Sequence, residues 1–262
     1  MRGRRIAAWL TAPLGYVRRR NRLVSQWPEG VVALGPRVAL FCHFEPAGAL
    51  RADTLRYLTE LRDFGFSVVL VSNSGRLQPA AMTALRRVCA AVLLRANSGR
   101  DFGAWREALV RLGLPRTETR WLLLANDSVS GPLAPLAPLL MWMDNAADVW
   151  GMTDSVELGW HLQSYFLLVG PAALRSLAWR RFWRGVRPVP SKLLTVIRYE
   201  IGLSRCLRLA GLRLAAMFPC DAGAGPLNPT LAGWRALRDA GFPFIKRSVA
   251  VDGNSTPPEN VL

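Results

Sequence analysis

Residues 38–71, VALFCHFEPAGALRADTLRYLTELRDFGFSVVLV, decide the fold. Val38–Cys42 is an unbroken apolar run of strand length, and Ser67–Val71 is a second one, rich in β-branched residues. Between them Leu55, Leu58, Leu61 and Phe64 recur at helical spacing, and Gly65 stands where a helix over Ala52–Phe64 would end. Two uniformly apolar strands joined by such a helix read as a βαβ unit whose parallel strands are covered on both faces.

The alternation continues outward. Pro79 suits the first turn of a helix running to about Val88, and Val92–Leu94 is a short strand. Phe102–Leu112 is a helix with Trp105, Leu109 and Leu112 on one side and Gly113 at its end. Trp121–Ala125, Val149–Thr153 and Tyr165–Val169 are further strands, and helices are expected at Ala172–Trp183, Tyr199–Ala210 and Pro229–Ala240. The expectation is α/β: one Rossmann-like domain, a mainly parallel sheet with helices on both faces. Its bounds are set at 37–250, with an N-terminal arm over 1–36 and a loose tail over 251–262. No internal repeat is visible.

Composition narrows the class. In 262 residues, 34 Lys+Arg stand against 18 Asp+Glu, a net charge of +16, and 51% of residues are apolar, which suits a packed core. Only Lys192 and Lys246 are lysines; the other basic residues are arginine. No apolar run reaches the roughly 18–20 residues a spanning helix needs, since Leu133–Met143 is short and broken by Pro135 and Pro138. Cys42, Cys89, Cys206 and Cys220 form no CxxC pair, and with only His43 and His161 no zinc spacing arises. Reduced thiols in the cytoplasm are expected. In the arm, Arg2, Arg4, Arg5 and Arg18, Arg19, Arg20, Arg22 bracket Trp9, Leu10 and Leu14, a pattern that suits an anionic membrane surface as well as a solvated arm. Basic patches interleaved with aromatics, and reader motifs, are missing from the sequence, so nucleic acid is not an expected partner.

In an open α/β sheet, ligands bind beyond the carboxyl ends of the strands. Here those ends carry His43, Phe44 and Glu45; Ser72, Asn73 and Ser74; Arg95 through Gly103; Asn126, Asp127 and Ser128; and Asp154 with Ser155. Five polar ends in one chain predict one polar crevice. Arg95 and Arg100 flank a turn opening a helix, whose N–H groups attract anions. Asp127 suits a carboxylate for a divalent cation or a substrate hydroxyl. Each has a plainer reading: Asp101 as a helix cap, Asn126 and Asp127 as turn formers, and His43 and Cys42 as core.

The blocks Arg95-x-Asn97-x-Gly99-x-Asp101-Phe102-Gly103-Ala104, Asn126-Asp127-Ser128-x-x-Gly131-Pro132 and Trp150-Gly151-x-Thr153-Asp154-Ser155 resemble the rhamnan synthesis protein F family. So do His161-Leu162-Gln163-Ser164-Tyr165-Phe166, Tyr199-Glu200-x-Gly202-Leu203-Ser204, Asn228-Pro229-Thr230 and Phe242-Pro243-Phe244-Ile245-Lys246. The likeness runs in order from about Arg37 to Ser248. It implies a GT-A-like glycosyltransferase for cell-surface polysaccharide, O-antigen or rhamnan, acting at the inner face of the plasma membrane. The donor would be a nucleotide-sugar, dTDP-rhamnose being favoured, and the acceptor a lipid-linked glycan.

By that resemblance His43, Asn73, Arg95, Asn97, Gly99, Asp101, Gly103, Asn126 and Asp127 form the donor site. Asp127 is the expected ligand of Mg²⁺ or Mn²⁺, although it is the sole carboxylate of its block. An inverting transferase of this kind carries its base near the start of a late helix. Glu200 is therefore the first candidate and Asp154 the second, with a first-turn acid favoured by the helix dipole as the plainer reading of Glu200. His161 and Gln163 are expected at the acceptor. A non-catalytic sugar-nucleotide-binding or assembly subunit of the same pathway is the alternative function.

Overall fold

A computed structural model describes residues 22–143, 146–189, 191–221 and 225–252. The chain opens with β1 (Leu23–Trp27), followed by β2 (Arg37–His43), α1 (Ala52–Asp63), β3 (Ser67–Ser72), α2 (Pro79–Val88), β4 (Ala91–Arg95) and α3 (Arg100–Arg111). Next come β5 (Trp121–Asn126), β6 (Val129–Ser130), α4 (Ala137–Trp142), β7 (Val149–Ser155), β8 (His161–Leu162) and β9 (Phe166–Val169). The last third holds α5 (Pro171–Arg175), α6 (Leu177–Gly185), α7 (Lys192–Thr195), α8 (Ile201–Leu209), β10 (Leu214–Phe218), α9 (Trp234–Asp239), β11 (Ile245–Lys246) and α10 (Arg247–Asp252).

Among the described residues the main sheet has nine strands in the order β1-β4-β3-β2-β5-β9-β7-β10, with β8 pairing β7 off that path. β2 pairs β3 and β5 in parallel, β3 pairs β4 in parallel, and β10 does the same with β7. β9 runs antiparallel between β5 and β7, and β1 antiparallel beside β4. The sheet is thus mainly parallel, and its winding reverses between β3 and β5, on either side of β2. Such a switch point opens a crevice at the strands' carboxyl ends.

Core packing follows the two sheet faces. On one, Phe102, Trp105, Trp179, Trp183, Leu203 and Leu207 of α3, α6 and α8 cover Val38, Leu40, Leu122 and Leu124. On the other, Leu58, Leu61, Leu85 and Leu140 of α1, α2 and α4 cover Ala39, Phe41, Leu70 and Leu123. The alternation of β2 and β5 between the two clusters explains why both strands are apolar throughout. The Trp105 indole donates to the Leu40 carbonyl at 3.1 Å and locks α3 under β2.

Several local expectations change. β1 lies inside the segment set apart as an arm, so the sheet domain includes residues 23–27; the arm's residues 1–21 lie outside the described residues. The boundary at 250 falls inside α10, and the tail beyond 252 also lies outside them. The helix expected over Ala172–Trp183 is two helices, because Ser176 adopts an extended backbone (ψ 150°) and its hydroxyl accepts from Trp179 N–H to cap α6. The helix expected from Tyr199 begins instead at Lys192, capped by Ser191, and passes through a π-helical turn at Val196–Glu200 into α8. α9 is shorter than expected, being preceded by turns on the Asn228 carbonyl. β10 was not foreseen, although Leu214–Phe218 is an unbroken apolar run; its five residues are all half-buried at the sheet edge.

Candidate functional site

The crevice is built on the ends of β2, β3, β4 and β5. At its floor Asp101 sits in the first turn of α3, with Oδ2 accepting from Asn126 Nδ2 at 2.8 Å and Oδ1 accepting from the Cys42 thiol at 3.3 Å. No side chain caps α3; its N-cap is Gly99, so Asp101 does not act as the cap that its position suggested. Asp127, just past β5, accepts from Phe44 N–H through Oδ2 at 2.9 Å, while its own N–H donates to the Cys42 carbonyl at 3.2 Å. Burial pushes both carboxyls up to about 6, and the charge of Asp127 adds to the effect on Asp101. Burial likewise raises the Cys42 thiol far above its usual range, which keeps it protonated as the donor to Asp101.

A second acid enters from the far side. Glu200, at the end of the π-helical turn, has its Oε2 3.8 Å from His161 Nε2 and 3.4 Å from Ser164 N–H. His161 Nδ1 lies 2.8 Å from the Gly159 carbonyl, which can only accept, so that nitrogen carries a proton. Leu162 N–H donates to Ser204 Oγ and fixes β8 against α8. Glu200 therefore lies in mid-helix, not in a first turn, and the dipole does not explain it. Its charge acts on both Asp101 and Lys246.

Other expected residues prove to be braces. Arg95, 2% exposed, pairs with Glu107 at 2.8 Å, donates to Asn73 Oδ1, and holds the Ser98 carbonyl at 2.9 Å; its guanidinium lies under the turn and does not face a ligand. Asn73 also donates to the Arg100 carbonyl at 3.4 Å, steadying a residue in the left-handed region (φ 51°). Gly99 (φ 75°) lies against Pro188, and at Gly103 a Cβ would stand 2.6 Å from the Ser98 carbonyl, so both glycines permit the turn to close. His43, buried on Ser72 Oγ at 3.1 Å, is held by burial at about 4 and stays neutral. Asn97 alone in this group is fully exposed at the rim.

Asp154 is also engaged: Oδ2 accepts from Trp160 Nε1 at 2.7 Å and Oδ1 from Cys220 N–H at 2.6 Å. With a partner on each oxygen it staples the β7–β8 turn to the segment after β10. Gln163 accepts from Thr153 Oγ1 at 2.6 Å and donates to Asn228 Oδ1 at 3.1 Å, so its amide also serves the framework. Because Thr153 has one hydroxyl proton, Tyr165 must donate to it.

Lys246 and Arg247 are the residues that the strand-end search missed. β11 pairs with β6 in register Lys246↔Val129 and so returns a distant segment to Asp127. Arg247 holds the Asp127 carbonyl at 2.7 Å and Asp53 at 2.9 Å. Lys246 Nζ lies 3.2 Å from Ser128 Oγ and 4.7 Å from the Tyr165 ring centroid. One signal pointed there: Lys246 is one of two lysines in an arginine-rich chain.

The donor set does not make a protein-held metal centre. Among the described residues no three His, Cys, Asp or Glu side chains converge as ligands. Asp127 has one uncommitted carboxylate oxygen, Asp101 has both oxygens hydrogen-bonded, and an ammonium lies within the electrostatic reach of Asp101 and Glu200. No described helix is long and apolar enough to cross a membrane.

Protein y4gN of Sinorhizobium fredii is 26% identical over 195 residues, covering 72% of this chain and 50% of its own length. The virulence protein VirA of Vibrio anguillarum is 26% identical over 232 residues, covering 76% of this chain and 74% of its own. This chain thus spans half the length of y4gN. A solved glycosyltransferase involved in the glycosylation of the major capsid of PBCV-1 aligns over 81% of this chain and 93% of its own, with 14% identity and a TM-score of 0.40. The family described as rhamnan synthesis protein F matches residues 68–257, most of the chain, from β3 past the last described helix. The chain belongs to the rhamnan synthesis protein F family.

Proposed function

We propose that this chain is a glycosyltransferase of cell-surface polysaccharide synthesis, moving a sugar from a nucleotide-sugar to a lipid-linked glycan at the cytoplasmic face of the membrane. Membership of the rhamnan synthesis family supports the pathway and favours dTDP-rhamnose as donor. The observation that carries the reading is the meeting of Asp127, Asp101, Glu200 and Lys246 in one crevice at the switch point. The order of the parallel strands, with one antiparallel strand between β5 and β7, suits a GT-A-like donor domain.

In this reading the donor diphosphate lies over the turn at Gly99 and the start of α3, where backbone N–H groups and the exposed Arg100 offer positive charge. The acceptor enters from the β8–α8 side. Its hydroxyl oxygen bonds to the anomeric carbon as the bond from that carbon to the phosphate oxygen breaks. The hydroxyl proton passes to Glu200, and the nucleoside diphosphate departs with the electron pair from the opposite face, inverting the centre. Ser164 N–H holds the Glu200 carboxylate toward the acceptor. The basic arm, with its arginine clusters at residues 2–5 and 18–20, suits an anionic bilayer carrying that acceptor.

The test is sugar transfer by Glu200→Gln. Turnover should fall roughly 10²- to 10⁴-fold, the usual range for a lost general base, while nucleotide binding survives. Near-normal turnover would remove Glu200 from the chemistry.

A further inference from the structure

We infer that Lys246 supplies the positive charge that holds the donor diphosphate, so that nucleotide binding in this crevice needs no divalent cation. This rests on the proposed donor site and deepens it. Three independent features of the structure carry it.

The first is placement. β11 exists only as a two-residue pairing with β6, and that pairing sets Lys246 beside Ser128, the residue after Asp127. Its ammonium donates to Ser128 Oγ at 3.2 Å, which leaves two of its three protons for other acceptors. Glu200 and Asp101 are both near enough for their charges to act on it. Its ammonium therefore lies beside the end of β5 and over the buried Tyr165 ring.

The second is residue type. The chain carries 34 basic residues and is arginine nearly everywhere, yet lysine stands here. The amine sits over the Tyr165 ring at 4.7 Å and 3.2 Å from Ser128 Oγ, a compact point charge with rotatable donors where arginine would present a fixed planar fork. The other lysine, Lys192 at the start of α7, is close enough for its charge to act on Lys246, so both lysines of the chain attend one site.

The third is the donor set around it. A cation held between a diphosphate and the protein needs convergent ligands, and here Asp101 has both carboxylate oxygens hydrogen-bonded, Asp127 has one engaged, and among the described residues no three His, Cys, Asp or Glu side chains converge. Arg247 already occupies the Asp127 carbonyl and Asp53, so it fixes the Asp127 backbone and is not itself available. The mobile positive charge left at the centre is Lys246. With a diphosphate in place, the two remaining ammonium protons would donate to phosphate oxygens without any proton leaving the site.

The experiment is calorimetric titration of the full chain with UDP, dTDP and GDP, each in EDTA and in Mn²⁺, for the wild type, Lys246→Met and Lys246→Arg. The matching nucleoside without phosphates serves as control. The expected result is binding of one nucleoside diphosphate in EDTA, little changed by Mn²⁺. Lys246→Met should weaken it about ten-fold or more, as loss of a charged hydrogen-bond donor does, Lys246→Arg should weaken it less, and the nucleoside should be unaffected. Wild-type binding that appears only with Mn²⁺ would overturn the inference while leaving the donor site standing. So would Lys246→Met binding as tightly as wild type, which would make Lys246 only a counter-charge for Asp101 and Glu200. Binding of no nucleotide in either condition would overturn the donor site itself, and the inference with it. The comparison of EDTA with Mn²⁺ uses wild-type protein, so it decides the question even if the variants fail to fold.

Discussion

Asp101 and Asp127 titrate near 6 because burial disfavours their charged forms, and His43 titrates near 4 for the same reason acting on a base. The two effects oppose each other in the stability of the fold. A carboxyl raised above its unfolded value stabilises the fold as pH falls through about 6 toward the usual carboxylate range, and that contribution is lost as pH rises. A histidine held below its unfolded value does the reverse, since the unfolded chain takes up its proton first as pH falls below about 6.5. The wild-type profile mixes both. Asp127→Asn isolates one, because an amide oxygen can still accept from Phe44 N–H. The variant should melt above wild type at about pH 8, and the gap should close by about pH 4.5. Melting below wild type at the higher pH would mean that the Asp127 charge supports the empty fold.

The turn between β4 and α3 is the element on which the crevice rests. Gly103→Ala drives a methyl to 2.6 Å from the Ser98 carbonyl, which Arg95 grips from beneath. The expected cost is about 1–3 kcal/mol in urea unfolding; a neutral result would show that the turn yields. Arg95→Met breaks a buried pair and should cost about 3 kcal/mol, the low end for such losses, because Glu107 keeps 21% exposure and some water. A loss under a third of that would mean that the other contacts hold the turn unaided.

These elements also mark what was legible beforehand. β2, β3 and β5 are buried on both faces and so announce themselves as apolar runs; Asn126 and Asp127 follow from the end of β5, and Asp101 from the helix start after β4. β1 lies at one sheet edge with no run to read, while β10 at the other is a short apolar run whose two alanines carry little strand signal. The helix carrying Glu200 starts at a Ser191 cap whose role shows only once Leu194 N–H is seen to reach it. Arg95 and Asp154 look like site residues because charged groups at strand ends usually are, and only their partners reveal that they are braces. Lys246 arrives through a β6–β11 pairing across more than a hundred residues, which no local pattern encodes.

At the scale of the whole molecule, a doubly wound sheet brings the ends of four strands, one helix start, one π-helical turn and one returning strand to a single place. If that place binds the activated sugar, a ligand specific to the native state must raise the melting point, by about 2.7 kcal/mol of added stability at a concentration of 100 Kd. The most direct measurement is a thermal-shift series of the full chain with dTDP-rhamnose, UDP-sugars, GDP-sugars and the free nucleotides. One nucleotide class should raise the melting temperature, and that shift should persist in Glu200→Gln and shrink in Lys246→Met. A series in which no nucleotide or nucleotide-sugar moves the melting temperature, with a lipid-diphosphate acceptor present as well as absent, would contradict a sugar-nucleotide site in this crevice.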